Sequence, residues 1–295
     1  MRLPLILLIF LLPQVHSLIK MAKIFGKVEN PPSPKSSSLT TMELCFKRCY
    51  DEDDCFLVEF HSGECVYYYF SLVETSLKVV ETEPESLMYV AFKTILPEDT
   101  CPVSFEAITL TYVNPDGTAY PWKVLSDGFS FPKCRYGWKL FERADKNVCI
   151  KLFKAATEIT KIQAENNCEG FNSLLIGVET FEEANWMWDE LSAVSDGSAF
   201  WLDGVRTESC RPLTPTLQDK SPRCNVFDWS NELTTGSSLF SSGDKSLELS
   251  YFADDYYEDC LLIATYKKTD MRIVYDVSCT NYPFSTGMVC GYKLD

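Results

Sequence analysis

The alternation of apolar and polar positions predicts one short helix facing three strands in the first third of the chain. Thr40-Thr41-Met42-Glu43 has the form of a capping box, in which a Thr hydroxyl and a Glu side chain satisfy the first backbone N–H groups of a helix. Cys45 and Cys49 follow four residues apart, so they lie on one face of that helix. Runs rich in aromatic and β-branched residues supply the opposing strands: Cys55–Phe60, Cys65–Phe70 and Leu87–Phe92.

The second half of the chain shows helical periodicity first and strand-like runs afterwards, an order that predicts an α+β domain. A first helix is expected over residues 157–168, with three side chains directed inward: Ile159, Ile162 and Ala164. A second capping box, Thr180-Phe181-Glu182-Glu183, opens a helix that continues through Leu191. The strands that follow are expected at Ala199–Leu202, Cys260–Ala264, Arg272–Tyr275 and Met288–Tyr292, and two tryptophans are expected in the core, Trp201 and Trp229.

Residues 97–133 are predicted to be a connector with one hairpin, because Asn114-Pro115-Asp116-Gly117 is a strong turn sequence. A chain of 295 residues is long enough for two domains, each with its own core. The predicted division is a signal peptide over residues 1–17, a small domain over 18–96, the connector over 97–133 and a second domain over 134–295.

The amino terminus is typical of a secretory signal peptide. Arg2 precedes an apolar run from Leu3 to Leu12, and a small residue, Ser17, supplies the cleavage position. The run is too short for a bilayer span, which needs about 20 residues. The mature chain is therefore expected to be secreted and soluble, in an oxidising environment where most of its 13 cysteines form disulfides.

Charge and histidine content exclude several functions. A net charge of −15 repels the phosphate backbone and argues against nucleic acid as a partner. After removal of the signal peptide, His61 is the only histidine, which excludes a zinc site built from several histidines. Because His61 lies in the tight-turn sequence His61-Ser62-Gly63-Glu64, we do not expect it to serve as a catalytic base. A carboxylate-based hydrolase is a remote alternative, although no spacing singles out a pair of acids.

The first domain resembles a PAN/apple-type module over residues 24–93, in the variant found at the front of many secreted nematode proteins. The resemblance rests on the two helix cysteines, Cys45 and Cys49, followed by two strand cysteines, Cys55 and Cys65. From the residues alone, four cysteines allow three connectivities. The resemblance implies the pairs Cys45–Cys65 and Cys49–Cys55.

The second domain resembles the long form of the C-type lectin-like domain, through a series of segments in the family's order. These are Cys134-Arg135-Tyr136-Gly137-Trp138, Cys149, Ala164–Cys168, Glu179–Glu183, Trp201–Arg206, Glu258-Asp259-Cys260, Asp276–Cys279 and Val289-Cys290. The resemblance implies the pairs Cys134–Cys149, Cys168–Cys290 and Cys260–Cys279, with Cys210–Cys224 as an additional pair. Cys101 is left over; it could bridge to a second chain, giving a disulfide-linked dimer, or compete with Cys149 for Cys134.

The resemblance also raises the question of a calcium-dependent sugar site. The family supplies calcium ligands from a loop ahead of the first strand cysteine, from an acidic residue just before that cysteine, and from a Trp-Asn-Asp stretch before the next one. Here only Glu258 and Asp276 match, while Ser250-Tyr251-Phe252 and Tyr275 replace other ligands. Two carboxylates are too few, because calcium takes six to eight oxygens. An unconventional cation site could use the acidic stretch that also carries two tyrosines: Asp254, Asp255, Tyr256, Tyr257, Glu258 and Asp259.

The sequence therefore predicts a secreted, non-enzymatic recognition protein that binds an extracellular glycan or protein, without the family's calcium site and without a cofactor. A calcium-dependent lectin, with Glu258 and Asp276 as metal ligands, is the alternative. The candidate ligand-binding residues are Asp254, Asp255, Tyr256, Tyr257, Glu258 and Asp276. The relatives imply a setting such as innate defence, although a shared fold does not establish a shared function.

Overall fold

The computed structural model describes residues 18–29, 31, 35–36, 40–96, 109–194, 198–210, 226–236, 238–241, 258–266, 271–280 and 285–294. The chain divides into two compact units, Met1–Lys133 and Cys134–Asp295. Each unit has its own sheet and its own apolar core, and both combine helix with strand, which confirms the α+β class. The expected signal peptide and Cys101 lie outside the described residues, so both stay predictions.

The first unit is an antiparallel sheet with one helix, α1 (Met42–Asp51), on one face. Its strands are β1 (Leu18–Glu29), β2 (Lys35–Ser36), β3 (Cys55–His61), β4 (Glu64–Tyr69), β5 (Leu77–Glu81), β6 (Tyr89–Leu96), β7 (Thr111–Val113), β8 (Ala119–Pro121), β9 (Lys123–Leu125) and β10 (Gly128–Phe131). The sheet order is β2-β4-β3-β6-β1-β5-β10-β9, and β7 pairs separately with β8. The pattern predicted β3, β4 and β6, but not β1 and β5, which are central to the sheet.

Two disulfides hold α1 against the sheet. The helix begins one residue later than predicted, because the hydroxyl of Thr41 rather than Thr40 accepts the hydrogen bond from the Leu44 N–H. Cys45 is bonded to Cys65 in β4, and Cys49 is bonded to Cys55 at the start of β3, as the resemblance implies. All four sulfurs are buried, so the helix and the two strands share one small core.

The expected tight turn after His61 is confirmed. Ser62 and Gly63 both have positive φ, 51° and 82°, the geometry of a two-residue hairpin turn that matches the twist of the flanking strands. The turn joins β3 to β4 and leaves His61 exposed. The His61 imidazole is therefore surrounded mainly by solvent and does not line a pocket formed by its turn.

The prediction of a connector is wrong for the part that the structure describes, residues 109–133. Strand β10 pairs with β5 and extends the sheet of the first unit. Trp122 and Phe131 are buried in its core, where the Trp122 ring lies 4.8 Å from the rings of both Phe92 and Phe131. Their burial removes large apolar surfaces from water, and this anchors the segment. The turn predicted at Asn114–Gly117 is present between β7 and β8.

Lys133 fixes the end of this segment. Its ammonium donates a hydrogen bond to the Val73 carbonyl and lies 4.6 Å from the centre of the Phe70 ring. Burial lowers the pKa of the Lys133 ammonium. The first unit thus extends to Lys133. The sequence had predicted that it would end at residue 96 and be followed by a connector.

The second unit has the strand order β11-β12-β18-β14-β16-β17, with two short strands attached, β13 to β18 and β15 to β14. Strands β14 and β18 are parallel, and the other pairs are antiparallel. The bounds are β11 (Lys139–Glu142), β12 (Asn147–Lys154), α2 (Lys161–Gly170), β13 (Leu174–Leu175), α3 (Phe181–Val194), β14 (Ala199–Arg206), β15 (Phe227–Asp228), β16 (Glu258–Tyr266), β17 (Met271–Ser278) and β18 (Gly287–Leu294).

The helices differ from expectation mainly at the start of α2. This helix is capped by Thr160, with Gln163 completing a capping box, so it begins later than residue 157. Lys161, Ala164 and Cys168 form its buried face, and Ile162 projects from another side with 67% exposure, contrary to the prediction. The second capping box is present, since the Thr180 hydroxyl accepts from the Glu183 N–H at 3.1 Å.

Both tryptophans that were expected in the core belong to it. Trp201 is fully buried and donates its indole N–H to the Ile159 carbonyl at 2.8 Å. Trp229 is half-buried and packs against the main cluster of apolar side chains.

Three disulfides within the described residues close the second unit: Cys134–Cys149, Cys168–Cys290 and Cys260–Cys279. They are the pairs that the resemblance implies. Cys168–Cys290 joins α2 to β18 across 122 residues, so in a chain-entropy view it restricts the unfolded chain strongly. Cys210 is also disulfide-bonded, and its expected partner Cys224 lies outside the described residues.

A buried arginine, Arg143, joins several segments of this unit through hydrogen bonds. Arg143 donates two hydrogen bonds to the Glu183 carboxylate, at 2.8 and 2.9 Å, and its remaining donors reach Thr234 and the carbonyls of Gly177 and Leu233. The side chains of Arg143 and Glu183 are 0% and 1% exposed. This bidentate pair ties the β11–β12 turn to α3 and to residues 233–234.

We predict that Arg143→Met lowers the free energy of unfolding by about 3–5 kcal/mol, because it leaves the Glu183 carboxylate buried without its counter-charge. The matched control is Arg272→Met, which removes an ion pair with Asp189 in which the Arg272 side chain is 41% exposed. The control should cost at most about 1 kcal/mol. Urea unfolding followed by tryptophan fluorescence measures both variants. Equal losses in the two variants would contradict this role of Arg143.

Candidate functional site

Charged residues of the second unit lie where β14 ends, β16 begins and β17 ends, and two of them, Glu258 and Asp276, are those that the resemblance connects with a calcium site. Arg206 is the last residue of β14, Glu258 and Asp259 are the first two of β16, and Asp276 lies near the end of β17. The three strands are neighbours in the sheet. Their ends therefore bring one guanidinium and three carboxylates into one region.

Two of these residues, Asp259 and Arg206, lie at or next to irregularities in strand pairing, which affect where their side chains point. Glu258 pairs with Ser278 and Cys260 with Val277, so Asp259 is an extra residue in a β-bulge. A bulge turns the extra residue away from the regular alternation of the strand. A second irregularity in β14 lies between Trp201 and Val205, just before Arg206.

Gly204 makes the irregularity in β14 possible. It has φ of +112°, a backbone conformation that residues with side chains rarely adopt. A Cβ atom at this position would lie 2.8 Å from the Trp229 indole and 2.9 Å from Leu261. The Trp-Leu-Asp-Gly-Val-Arg sequence therefore bends β14 around Trp229 before it reaches Arg206.

Arg206 compensates buried carboxylates on β16, which pairs with β14, and on β17, the next strand in the sheet. Its Nη2 donates a hydrogen bond to Oδ2 of Asp276, and its Nε lies 3.8 Å from Oδ1 of Asp259. Arg206 and Asp276 are 1% and 2% exposed, and Asp259 is 9% exposed. The guanidinium also lies 5.1 Å from the centre of the Phe227 ring. This closed arrangement compensates charge inside the protein, because an ion pair without water depends on its internal partners.

A second buried carboxylate fastens the segment around Trp229. Asp203 is fully buried; its Oδ2 accepts from the Ser230 N–H at 2.9 Å and from the Asn231 amide at 3.3 Å. Its Oδ1 lies 3.7 Å from the Lys161 ammonium. Asp203 thus ties β14 to residues 230–231 and lies near the first residue of α2.

The structure places two of the six sequence-predicted ligand residues. Asp276 is buried against Arg206, and Glu258 is half-buried on β16. Asp254, Asp255, Tyr256 and Tyr257 lie outside the described residues, so their part in a ligand site stays a prediction. Within the described part of the chain, no group of three or more His, Cys, Asp or Glu side chains could hold a metal ion.

Sequence reasoning missed Arg206 as a partner of Asp276. The residue stands in one of the segments that carry the resemblance, but the segment does not show which strand lies beside it. The available signal was a basic residue at the end of an otherwise apolar strand, in a domain rich in acidic residues. That signal is weak without the sheet order.

The disulfides, the helices α2 and α3 and the strand order define the second unit as a C-type lectin-like domain. Residues 141–291 match the family model described as "C-type lectin domain-containing protein 141/158", and the match spans more than half of the chain. The protein belongs to this family. Residues 21–94 match the model of the PAN-like domain, which confirms the character of the first unit.

Solved structures of similar fold include a calcium-independent type II antifreeze protein (17% identity, TM-score 0.35), with 55% of this chain and 96% of that chain covered. The complex of SPL-1 with GlcNAc is 21% identical, with a TM-score of 0.36 and coverage of 54% and 95%. The C-type lectin domain of murine dendritic cell inhibitory receptor 2, in complex with N-glycan, is 14% identical, with a TM-score of 0.36 and coverage of 55% and 99%. No curated protein matches the chain.

We predict that Arg206→Met destabilises the second unit by about 3–5 kcal/mol, because Asp259 and Asp276 then remain buried without the guanidinium. The double variant Arg206→Met/Asp276→Asn should recover part of the loss, since one of the two uncompensated charges is removed. Chemical unfolding monitored by fluorescence measures four proteins: the wild type, Arg206→Met, Asp276→Asn and the double variant. Additive losses, with no recovery in the double variant, would show that Arg206 and Asp276 do not act as a pair.

Proposed function

We propose that the protein is a secreted, non-enzymatic recognition protein whose lectin-like domain binds an extracellular glycan or protein without calcium. The observation that carries this proposal is the hydrogen bond from Arg206 to Asp276. Asp276 occupies the position at which calcium-binding relatives are expected to present a metal ligand. Here the same carboxylate already has a cation, supplied by the chain itself.

The residues around Asp276 do not fit a calcium ion. Calcium takes six to eight oxygen ligands and competes poorly for a carboxylate that is already charge-compensated and desolvated. A metal bound to Asp276 would have to displace the Arg206 guanidinium, which is 1% exposed and itself would need a new partner. The positions that differ from the family's ligand set, Tyr275 among them, support the same conclusion.

An extracellular setting is supported by the cysteines. The eleven cysteines within the described residues are all disulfide-bonded. Stable disulfides at this density are typical of proteins that fold in an oxidising compartment. Among the described residues, no helix has both the length and the apolar character to cross a membrane.

A binding role without catalysis is supported by the surroundings of His61. Its ring lies 3.0 Å from the Ser62 hydroxyl, so a nucleophile and a base are adjacent. Both side chains are exposed on the β3–β4 turn of the first unit. An exposed turn supplies no preorganised donors for a transition state, and such donors usually provide the largest catalytic effect.

We predict that calcium leaves the wild-type protein unchanged. Millimolar calcium chloride and excess EDTA should give the same melting temperature, within about 1 °C, because a ligand stabilises only the state that it binds. Isothermal calorimetry with calcium should give no binding heat, and the pattern on a glycan array should be the same with and without chelator.

Two variants separate a structural role of Asp276 from a metal-binding one. Asp276→Asn should lower the melting temperature equally with calcium or EDTA, because it weakens an internal ion pair. Asp228→Asn, on an exposed residue of β15, is the control and should have no effect. Sugar binding that requires calcium and is lost in Asp276→Asn would establish the alternative, a calcium-dependent lectin.

A further inference from the structure

The turn at the start of the second unit displays one aromatic side chain on a fixed backbone. Tyr136 is 92% exposed. On one side the chain is held by the Cys134–Cys149 disulfide and by the Arg135 N–H, which donates to the Tyr292 hydroxyl at 2.8 Å. On the other side the Trp138 N–H donates to the Arg135 carbonyl at 3.0 Å, and Gly137 has the positive φ that the turn requires. The Tyr136 side chain thus projects into solvent from a fixed turn and adds little to the packing of the fold.

A stacked pair of rings lies beside this turn. Phe171 stacks on Phe153 with a centroid distance of 4.2 Å and an interplanar angle of 9°, and Phe171 itself is 44% exposed. Arg135 connects the turn to this pair, because its guanidinium donates to the carbonyls of Phe171 and Asn172 at 2.9 and 3.1 Å. The turn and the end of α2 therefore form one continuous surface.

A lysine completes this surface. The Lys151 ammonium lies 5.3 Å from the centre of the Phe153 ring, and it is close enough to Gly137 that a Cβ there would be 2.9 Å away. We call these five residues the aromatic–cationic patch: Arg135, Tyr136, Lys151, Phe153 and Phe171. The patch presents ring surfaces and positive charge together.

The local charge is opposite to that of the whole chain. Apart from Arg143, which is buried and paired with Glu183, residues 134–154 contain five Lys or Arg and two Asp or Glu, a net charge of +3, although the whole chain carries −15. An acidic protein with one basic hairpin attracts anionic partners to that hairpin and repels them elsewhere. Charge complementarity thus indicates that the partner is negatively charged.

We propose that the aromatic–cationic patch binds an anionic glycan. The exposed rings of Tyr136 and Phe171 suit the apolar faces of pyranose rings, and Lys151 with Arg135 suits sulfate or carboxylate groups on the sugars. Both terminal nitrogens of Arg135 already donate to a backbone carbonyl, so Arg135 and Lys151 offer two point charges rather than a bidentate carboxylate clamp. Point charges match sulfate esters along a polysaccharide.

The size of the patch favours a glycan over a protein partner. A stable protein interface takes about 20–30 residues on each side. The patch has five, enough for a few sugar rings. It shares no residue with the region around Arg206 and Asp276, so it does not depend on whether that region binds calcium.

The test is calorimetry of the full mature protein with four probes, all in EDTA and at low salt. A heparin hexasaccharide carries sulfates, a hyaluronan hexasaccharide carries carboxylates alone, maltohexaose is neutral, and a short polyglutamate is an acidic peptide. We expect the heparin probe to bind and to weaken steeply as salt rises, because screening reduces attraction between exposed charges. Hyaluronan binding as tight as that of heparin would assign carboxylates rather than sulfates as the recognised groups, still within the proposal.

The variants Tyr136→Ala and Lys151→Gln should each weaken heparin binding by about tenfold, because each removes one stacking or charge interaction from a small site. The matched controls are Tyr50→Ala and Lys47→Gln, which change exposed residues of α1 and should leave the affinity unchanged. Because the Tyr136 side chain is almost fully exposed, its variant should keep the wild-type melting temperature. Absence of heparin binding at low salt, equal binding of polyglutamate, or equal losses in the control variants would overturn the proposal.

Discussion

A single buried guanidinium connects the strand ends of the lectin-like domain at which the sequence predicts a ligand site. Arg206 extends from β14 to two buried carboxylates, Asp259 on the adjacent strand β16 and Asp276 on β17, the next strand in the sheet. Without the guanidinium, both carboxylates would be buried without a counter-charge. In this family such a cluster of acids suggests a metal ion. Here a side chain supplies the positive charge, and it is always present because it is covalently part of β14. The proposed independence from calcium follows from this substitution.

Each unit is also held together internally by other interactions. Disulfides fasten helices to strands in both units, and Arg143 and Asp203 hold the loop segments of the second unit through buried hydrogen bonds. In the first unit, stacked and tilted aromatic rings provide the core. Some exposed side chains make no contribution to the packing of the fold. Tyr136 is an example, because its backbone is fixed while its side chain is exposed.

Much of the fold could be predicted from local signals, and the exceptions have physical causes. The capping box at Thr180 and the turn at Ser62-Gly63 depend on nearby residues, and both agree with the prediction. The predicted burial of Trp201 is also confirmed, although the carbonyl that accepts from its indole lies 42 residues away in the sequence. The role of Trp122 could not be foreseen, because its burial depends on strand β10 joining β5, a pairing between residues about 50 positions apart. Ile162 was misplaced because the helix begins at a later cap. Arg206 was missed for the same reason as Trp122: its partners lie on other strands.

The most direct test of the central claim is a crystal structure of the wild-type protein grown in millimolar calcium chloride. We expect the Arg206 guanidinium still to donate to the Asp276 carboxylate, with no ion within coordination distance of that carboxylate. A calcium ion about 2.3–2.6 Å from an Asp276 oxygen, with Arg206 displaced, would contradict the claim.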